Sequence, residues 1–319
     1  MASLIAAIVL CDVIPVVIIY MLFPQLTKFA PLQRNYHGVE VLSGLGIVWF
    51  VWLAFIWVGS VIFNACGVDQ PEWMSLILSA FPLLSGTCAF GLFDDWVGDN
   101  YSKGFKGHFR ELRHGVLTTG MLKLIGIGML SLFTAISFYD PSDPLAVVRV
   151  ICAGCTIALF ANLMNLFDMR PLRASKVYIL CVVLCLVCLI LTGRMQLGAL
   201  NIICMVLACI GPVIATWKFD RLELAMLGDA GANTMGALVG FIFSITLPIW
   251  LLIPLTIVLF AVNLLSERYS FSKIIEKVPV LRSIDRAFRP KKLVDLHNSD
   301  KFNTYRRERS GRNNPPEKG

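Results

Sequence analysis

Charged residues are scarce in this sequence. Asp, Glu, Lys and Arg together make up 15% of its 319 residues, whereas hydrophobic residues make up 57% and the mean hydropathy is +0.73. Soluble domains carry about 25% charged and roughly 45–50% apolar residues. The scarcity of charge excludes an ordinary soluble domain and indicates a chain that lies mostly in a lipid bilayer.

The sequence also has no basic residue in front of its first apolar run, whereas Lys28 follows that run. A cleavable signal peptide carries a positively charged segment before its apolar core. We therefore expect the first apolar run to be a retained membrane span.

Nine apolar runs are long enough to cross a bilayer, which takes roughly 20 residues because a helix rises ~1.5 Å per residue across ~30 Å of hydrocarbon. A helix satisfies its own backbone hydrogen bonds in lipid, so runs of this length are typical of helix bundles. The sequence therefore predicts an all-α, polytopic integral membrane bundle of about nine transmembrane helices within residues 1–265, as its first unit. The runs are approximately 3–23, 41–63, 73–93, 115–138, 145–165, 176–192, 196–216, 230–246 and 248–265.

Basic residues lie almost entirely on one side of the predicted bundle. All but three of the 28 Lys and Arg residues follow an odd-numbered apolar run, and half of them lie in residues 266–319. Lys and Arg are enriched in cytoplasmic loops. The distribution predicts a multi-pass protein of the cell membrane, with its N-terminus outside and its C-terminus in the cytoplasm.

Residues 266–319 form a second predicted unit, a basic cytoplasmic tail. Apolar residues recur at helical spacing between Ile274 and Phe288, among Lys and Arg. This pattern predicts an interfacial amphipathic helix, followed by a disordered, Arg-rich end. A basic tail beside a bilayer favours anionic lipid headgroups, so we expect membrane lipids rather than nucleic acid as its partner.

The first of three polar clusters follows the third apolar run. Asp94 and Asp95 are adjacent at the predicted end of a helix, and Lys103 and Lys106 lie in the loop that follows. Two adjacent carboxylates repel each other unless a cation or hydrogen-bond donors offset their charge. Carboxylates beside basic residues suit a divalent cation held together with phosphate oxygens. The alternative is an acidic pair that is simply solvated in a loop.

The second cluster ends the fifth apolar run, where Asn162, Asn165 and Asp168 are spaced by three residues. On a helix this spacing places all three side chains on one face. Amide and carboxylate oxygens are hard ligands for Mg²⁺, and they also fix nucleotides by hydrogen bonds. The alternative is a polar stripe that hydrogen-bonds to a neighbouring helix.

The third cluster, Gly228-Asp229-Ala230-Gly231, precedes the eighth apolar run. The N-terminus of a helix offers unpaired backbone N–H groups that suit phosphate, although Asp229 could instead be an ordinary N-cap. Lys123 lies inside the fourth run. We expect Lys123 either to extend its ammonium group toward the membrane interface or to bind a diphosphate.

In this order, the motifs GLFDD, NLMNLFD and LGDAGAN resemble those of the polyprenyl-phosphate N-acetylhexosamine-1-phosphate transferase superfamily, also called glycosyl transferase family 4, over residues 24–265. The resemblance implies a membrane enzyme with a cytoplasmic cleft. Its expected reaction transfers a sugar-1-phosphate from a UDP-sugar to polyprenyl phosphate, giving a polyprenyl-diphosphate-sugar and UMP for cell-envelope glycan synthesis.

The resemblance also implies residue roles. Asp229 and Asn165 are expected to bind Mg²⁺, or Mn²⁺ in its place, and Asp94, Asp95 and Asp168 are expected to be catalytic. The resemblance and the three polar clusters together give a set of expected substrate-binding residues. They are Lys123, Asn162, Lys103, Lys106, Arg170, Arg173, Gly228 and Gly231.

The chain departs from the family pattern in two places. Met169-Arg170-Pro171-Leu172 stands where family members commonly have Gly-x-Asp-Gly, and no histidine-rich motif accompanies its four histidines. Two other functions stay open. One is a secondary transporter, whose carboxylates would lie near the bilayer midplane on broken helices. The other is a non-catalytic relative that serves as a scaffold for envelope assembly. Homodimerisation also stays open.

Overall fold

The computed structural model describes residues 2–98, 104–193 and 198–289, without the side chains of residues 105 and 106. The described chain is almost entirely helical, which confirms the all-α prediction. Its helices are α1 (Ala2–Ala7), which continues through a π-helical segment (Ile8–Val13) into α2 (Ile14–Phe29), α3 (Ile47–Ala65), α4 (Glu72–Ser79), α5 (Phe81–Val97), α6 (Gly104–Arg113), α7 (Thr119–Phe138), α8 (Ala146–Phe167), α9 (Arg173–Thr192), α10 (Ala199–Arg221), α11 (Gly228–Thr246), α12 (Ile249–Ser266), α13 (Phe271–Lys277) and α14 (Pro279–Arg286).

Seven spans among the described residues are long and apolar enough to cross a membrane, or eight if the bent pair α4–α5 is one broken span. This agrees with a multi-pass membrane protein, whereas the number nine stays a prediction. The third predicted run is not one straight helix, because α4 and α5 meet at 51°. Pro82 lies in the first turn of α5 and has no N–H to bond to the preceding turn, which explains the break.

Helix α11 lies at the centre of the bundle, packed against α5, α8 and α9. Every residue from Ala230 to Ser244 is buried. A Cβ atom on Gly236 or Gly240 would collide with the backbone of α8, so these small residues allow the two helices to approach closely. The packing brings the first turn of α11 to the ends of α5 and α8.

A short hairpin fixes the segment before α11. Strands β1 (Leu32–Arg34) and β2 (Glu40–Leu42) pair antiparallel, with Gln33 opposite Val41. The backbone N–H of Met226 donates to the carbonyl of Leu42 at 2.7 Å. The sequence did not predict this hairpin, which ties the α10–α11 connection to the loop before α3.

The tail is held against the bundle by a buried ion pair. The Arg173 guanidinium donates two hydrogen bonds to the Asp285 carboxylate, at 2.7 and 3.1 Å, and both side chains are at most 5% exposed. The predicted single amphipathic helix is instead two short helices, because Val278 has extended backbone before Pro279. Val280, Ile284 and Phe288 are exposed. The predicted disordered, Arg-rich end lies outside the described residues.

Candidate functional site

The ammonium group of Lys123 joins the carboxylates of Asp94 and Asp229. Its Nζ donates to Asp94 Oδ2 at 2.6 Å and forms an ion pair with Asp229 Oδ2. Asp94 lies in the last turn of α5, Lys123 in the second turn of α7, and Asp229 in the first turn of α11. Two carboxylates this close repel each other, and the ammonium group offsets that repulsion. All three side chains are 15–21% exposed, so the site is shielded but reachable.

This arrangement tests two expectations about individual side chains. One expectation was that Lys123 extends its ammonium group toward the membrane interface. In the structure this group instead contacts the carboxylates of Asp94 and Asp229. The Asp94–Asp95 pair lies at the end of a helix, as predicted, and is not the solvated loop pair of the alternative. Helix α5 continues beyond the third apolar run. The polar side chains of its last turn are stabilised there by contacts with other parts of the protein.

Asp95 has other partners than Asp94 and caps α11 from outside that helix. Its carboxylate accepts the backbone N–H groups of Asp229 and Ala230, at 3.0 and 3.1 Å. Leu227, which precedes α11, offers no side-chain cap of its own, so Asp95 satisfies two of the orphan N–H groups of the first turn. Asp95 is 7% exposed. The structure gives Asp95 a supporting position behind Asp229 rather than a place beside it.

Gly228 makes this capping contact sterically feasible. Its φ is +71°, and a Cβ atom there would lie 2.5 Å from Asp95 Oδ2. A left-handed backbone conformation favours glycine because it has no Cβ. The expected phosphate-binding role of Gly228 is not evident in this structure, since its N–H donates to the Asp168 carboxylate at 3.0 Å. Gly231 packs closely against Gly46 of the loop before α3.

The predicted stripe of Asn162, Asn165 and Asp168 is split by the end of α8. That helix ends at Phe167, so Asp168 no longer follows the helical phase and accepts the Gly228 N–H instead. Burial, together with the nearby carboxylates of Asp220, Asp95 and Asp229, raises the pKa of Asp168 well above its ordinary value. Asn162 and Asn165 do share one site, as predicted.

A cavity of about 230 Å³ lies beside the Lys123 ion pairs. Asn162 and Asn165 from α8 line it, together with Asp94, Lys123 and three side chains that the sequence interpretation missed: His108, Asn233 and Glu267. Asn233 follows Asp229 by four residues, a spacing that places both on one face of α11 and could have identified it. No comparable signal in the sequence pointed to His108 or Glu267.

Asn162 has two roles in this cavity wall. Its Nδ2 donates to Asn263 Oδ1 at 2.7 Å and so joins α8 to α12. This is the helix-to-helix alternative that the spacing left open. Asn162 still lines the cavity, with its side chain held in place by Asn263.

Two predicted substrate-binding arginines contact the tail rather than the cavity. Arg170 forms an ion pair with Glu276 and lies 5.2 Å from the ring centre of Tyr36. It lines a separate, smaller pocket with Asp168. Arg173 contacts Asp285, as described above. Lys103 and the side chain of Lys106 lie outside the described residues.

The oxygen donors of this site suit a hard cation that arrives with other ligands. Among the described residues, no group of three or more His, Cys, Asp or Glu side chains could hold a metal ion. Asp94 and Asn165 line the cavity, and Asp229 shares the Lys123 ammonium group with Asp94. Mg²⁺ is usually bound by one or two carboxylates plus phosphate oxygens and waters. The residues therefore fit Mg²⁺ bound with a phosphate ligand rather than enclosed by protein.

No family model matches the chain, and no curated protein matches it. Its function is therefore inferred from the residues of the site.

Proposed function

We propose that this protein is a divergent member of the polyprenyl-phosphate N-acetylhexosamine-1-phosphate transferase superfamily. It transfers a sugar-1-phosphate from a UDP-sugar to polyprenyl phosphate at the cytoplasmic face of the cell membrane. In this proposal the chain has nine spans, with its N-terminus outside and its C-terminus in the cytoplasm. The observation that carries the proposal is the Lys123 ammonium group between the Asp94 and Asp229 carboxylates, beside a cavity that charged and amide side chains help to line.

The location of these groups favours a transferase over a transporter. Asp94 lies in the last turn of α5 and Asp229 in the first turn of α11. A secondary transporter typically holds its substrate near the middle of the bilayer, on discontinuous helices. Charged groups at helix ends, in contrast, can meet a water-soluble nucleotide-sugar and a lipid phosphate at the same interface.

The proposed reaction needs alignment and charge neutralisation more than a general base. A phosphate monoester has a second pKa of about 6, so the acceptor phosphate is largely a dianion at neutral pH. Its oxygen attacks the β-phosphorus of the UDP-sugar and forms a new P–O bond. The bond from the β-phosphorus to the bridging oxygen breaks, and UMP leaves with that electron pair.

Each residue of the site has a part in this reaction. The Lys123 ammonium group neutralises phosphate oxygens as negative charge develops on them. Asp94 keeps that ammonium group in position and takes any residual proton from the acceptor. Asp95 orients the first turn of α11, and Asp229 with it, by accepting the backbone N–H groups of Asp229 and Ala230. Asp229 and Asn165 would hold Mg²⁺, which supplies charge neutralisation of the diphosphate when bound.

Release of UMP tests the proposal. Purified protein is incubated with undecaprenyl phosphate, Mg²⁺ and a panel of UDP-sugars, and released UMP is measured. We expect one UDP-sugar to give UMP, and we expect Asp229→Asn to abolish its release. Asp140→Asn, in the exposed loop between α7 and α8, is the matched control and should retain the rate.

The outcomes separate the alternatives. An unaffected rate in D229N would show that Asp229 does not bind the metal. No UMP from any UDP-sugar would overturn the transferase proposal and favour the scaffold or transporter alternatives.

A further inference from the structure

We propose that Asn233 is a substrate-positioning residue, whose carboxamide NH₂ group donates a hydrogen bond to an oxygen of the bound diphosphate. The reaction of that diphosphate rests on the proposed function. The binding contact itself rests on the geometry of α11 and the cavity.

The backbone donors at the start of α11 are already used by carboxylates. The N–H of Gly228 donates to Asp168, and those of Asp229 and Ala230 donate to Asp95. The N-terminus of a helix ordinarily offers such groups to phosphate. In this protein they hold the helix in place, so an anion in the cavity must be bound by side chains.

Asn233 provides a buried donor at the right place. It lies one turn after Asp229 on the same face of α11, is 2% exposed and lines the cavity beside Lys123. Its Nδ2 has no hydrogen-bond partner among the described residues. A buried donor without an acceptor is unfavourable to folding, so a residue of this kind is better explained by a bound ligand than by packing.

The chemistry of the neighbours indicates which ligand atom Asn233 contacts. Lys123 brings a positive charge to the same cavity wall, and a phosphate oxygen accepts hydrogen bonds strongly because it is charged. The Asn233 amide is neutral, so it adds a donor without altering the charge balance of Lys123, Asp94 and Asp229. A diphosphate oxygen is therefore the acceptor that fits both groups.

Asn233→Leu tests this inference because it keeps a similar volume and removes the donor. Two measurements are made on the full-length protein in lipid nanodiscs. The first is the affinity for inorganic diphosphate with Mg²⁺, by calorimetry. The second is the melting temperature without ligand. We expect N233L to bind diphosphate roughly 10- to 100-fold more weakly, with a melting temperature equal to or higher than that of the wild type.

Thr87→Val is the matched control. Thr87 is fully buried, its Oγ1 has no partner among the described residues, and it does not line the cavity. T87V should therefore keep the diphosphate affinity of the wild type. Asn233→Asp exchanges the donor for a carboxylate and should weaken diphosphate binding more than N233L does.

A lower melting temperature in N233L would show that Asn233 is a packing residue and would overturn the inference. Unchanged diphosphate affinity in N233L, or no diphosphate binding by the wild type, would also overturn it. Failure of the proposed function would look different. The wild type would bind diphosphate and N233L would not, yet no UDP-sugar would give UMP.

Discussion

The carboxylate of Asp95 accepts the backbone N–H of Asp229 at 3.0 Å. One acidic residue therefore holds another in place, although the two are far apart in the sequence. The neighbour of Asp95, Asp94, contacts the Lys123 ammonium group instead. Two adjacent residues of the same type thus have different partners, and substitutions should separate their effects.

Asp95→Ala should reduce stability more than Asp94→Ala does. D95A leaves the N–H groups of Asp229 and Ala230 without their carboxylate, which should lower the free energy of unfolding by about 1–3 kcal/mol. D94A leaves Lys123 paired with Asp229, so its effect should fall mainly on UMP release. Thermal denaturation and the UMP assay, applied to both variants, measure this difference. A lower melting temperature for D94A than for D95A would contradict it.

Lys123→Met should strengthen the binding of a divalent cation in the absence of substrate. It removes the ammonium group between Asp94 and Asp229 and leaves two facing carboxylates that attract Mg²⁺ or Mn²⁺. We expect K123M to lose UMP release and to gain a larger rise in melting temperature on adding Mg²⁺ than the wild type shows. Lys28→Met, near the end of α2, is the control. The same Mg²⁺ effect in K123M, K28M and the wild type would refute this prediction.

Arg173→Met should release the tail from the bundle. Removing one partner of a buried ion pair leaves the other charge uncompensated and lowers stability by about 3–5 kcal/mol. Arg289 also contacts Asp285, at 2.8 Å, and should reduce that loss. Faster cleavage of residues 267–289 by proteinase K would report the release. Arg282→Met, on the exposed side of α14, is the matched control. Equal cleavage rates for R173M and R282M would show that the ion pair does not hold the tail.

Asp168→Asn should alter how stability depends on pH. The pKa of Asp168 is raised in the folded protein, by burial and by nearby carboxylates. The folded chain therefore binds more protons than the unfolded chain above the ordinary pKa of 3.8, and this group's contribution to stability falls as pH rises from there. D168N keeps an oxygen for the Gly228 N–H and has no such titration.

The measurement is the melting temperature of D168N minus that of the wild type, from pH 5 to pH 8. We expect this difference to increase with pH. A difference that stays constant over that range would show that Asp168 does not titrate differently in the folded and unfolded states.

Several parts of the fold followed from periodicity and composition. Apolar runs of membrane-spanning length predicted most of the long helices, because a helix must remain apolar for as long as it is in hydrocarbon. The spacing of Asn162 and Asn165 predicted that they share one face, and both line the cavity. Spacing within one helix is a local property, so the sequence is sufficient to predict it.

Other parts were decided by contacts between distant segments. Neighbouring positions do not reveal that Asp94 faces α7 while Asp95 faces α11, or that Arg173 contacts Asp285 in the tail. Asn233 stands within a recognisable motif, yet only the packing of α11 against α8 leaves its amide buried beside Lys123.

The sequence by itself determined that this is a helical membrane protein and which polar residues stand at its helix ends. The tertiary structure alone decided which of those residues meet around Lys123 and which hold α11 and the tail in place. The physical reason is that helical periodicity fixes the direction of a side chain relative to its own helix. The partner that it meets depends on how closely the small residues of α11 let the helices pack.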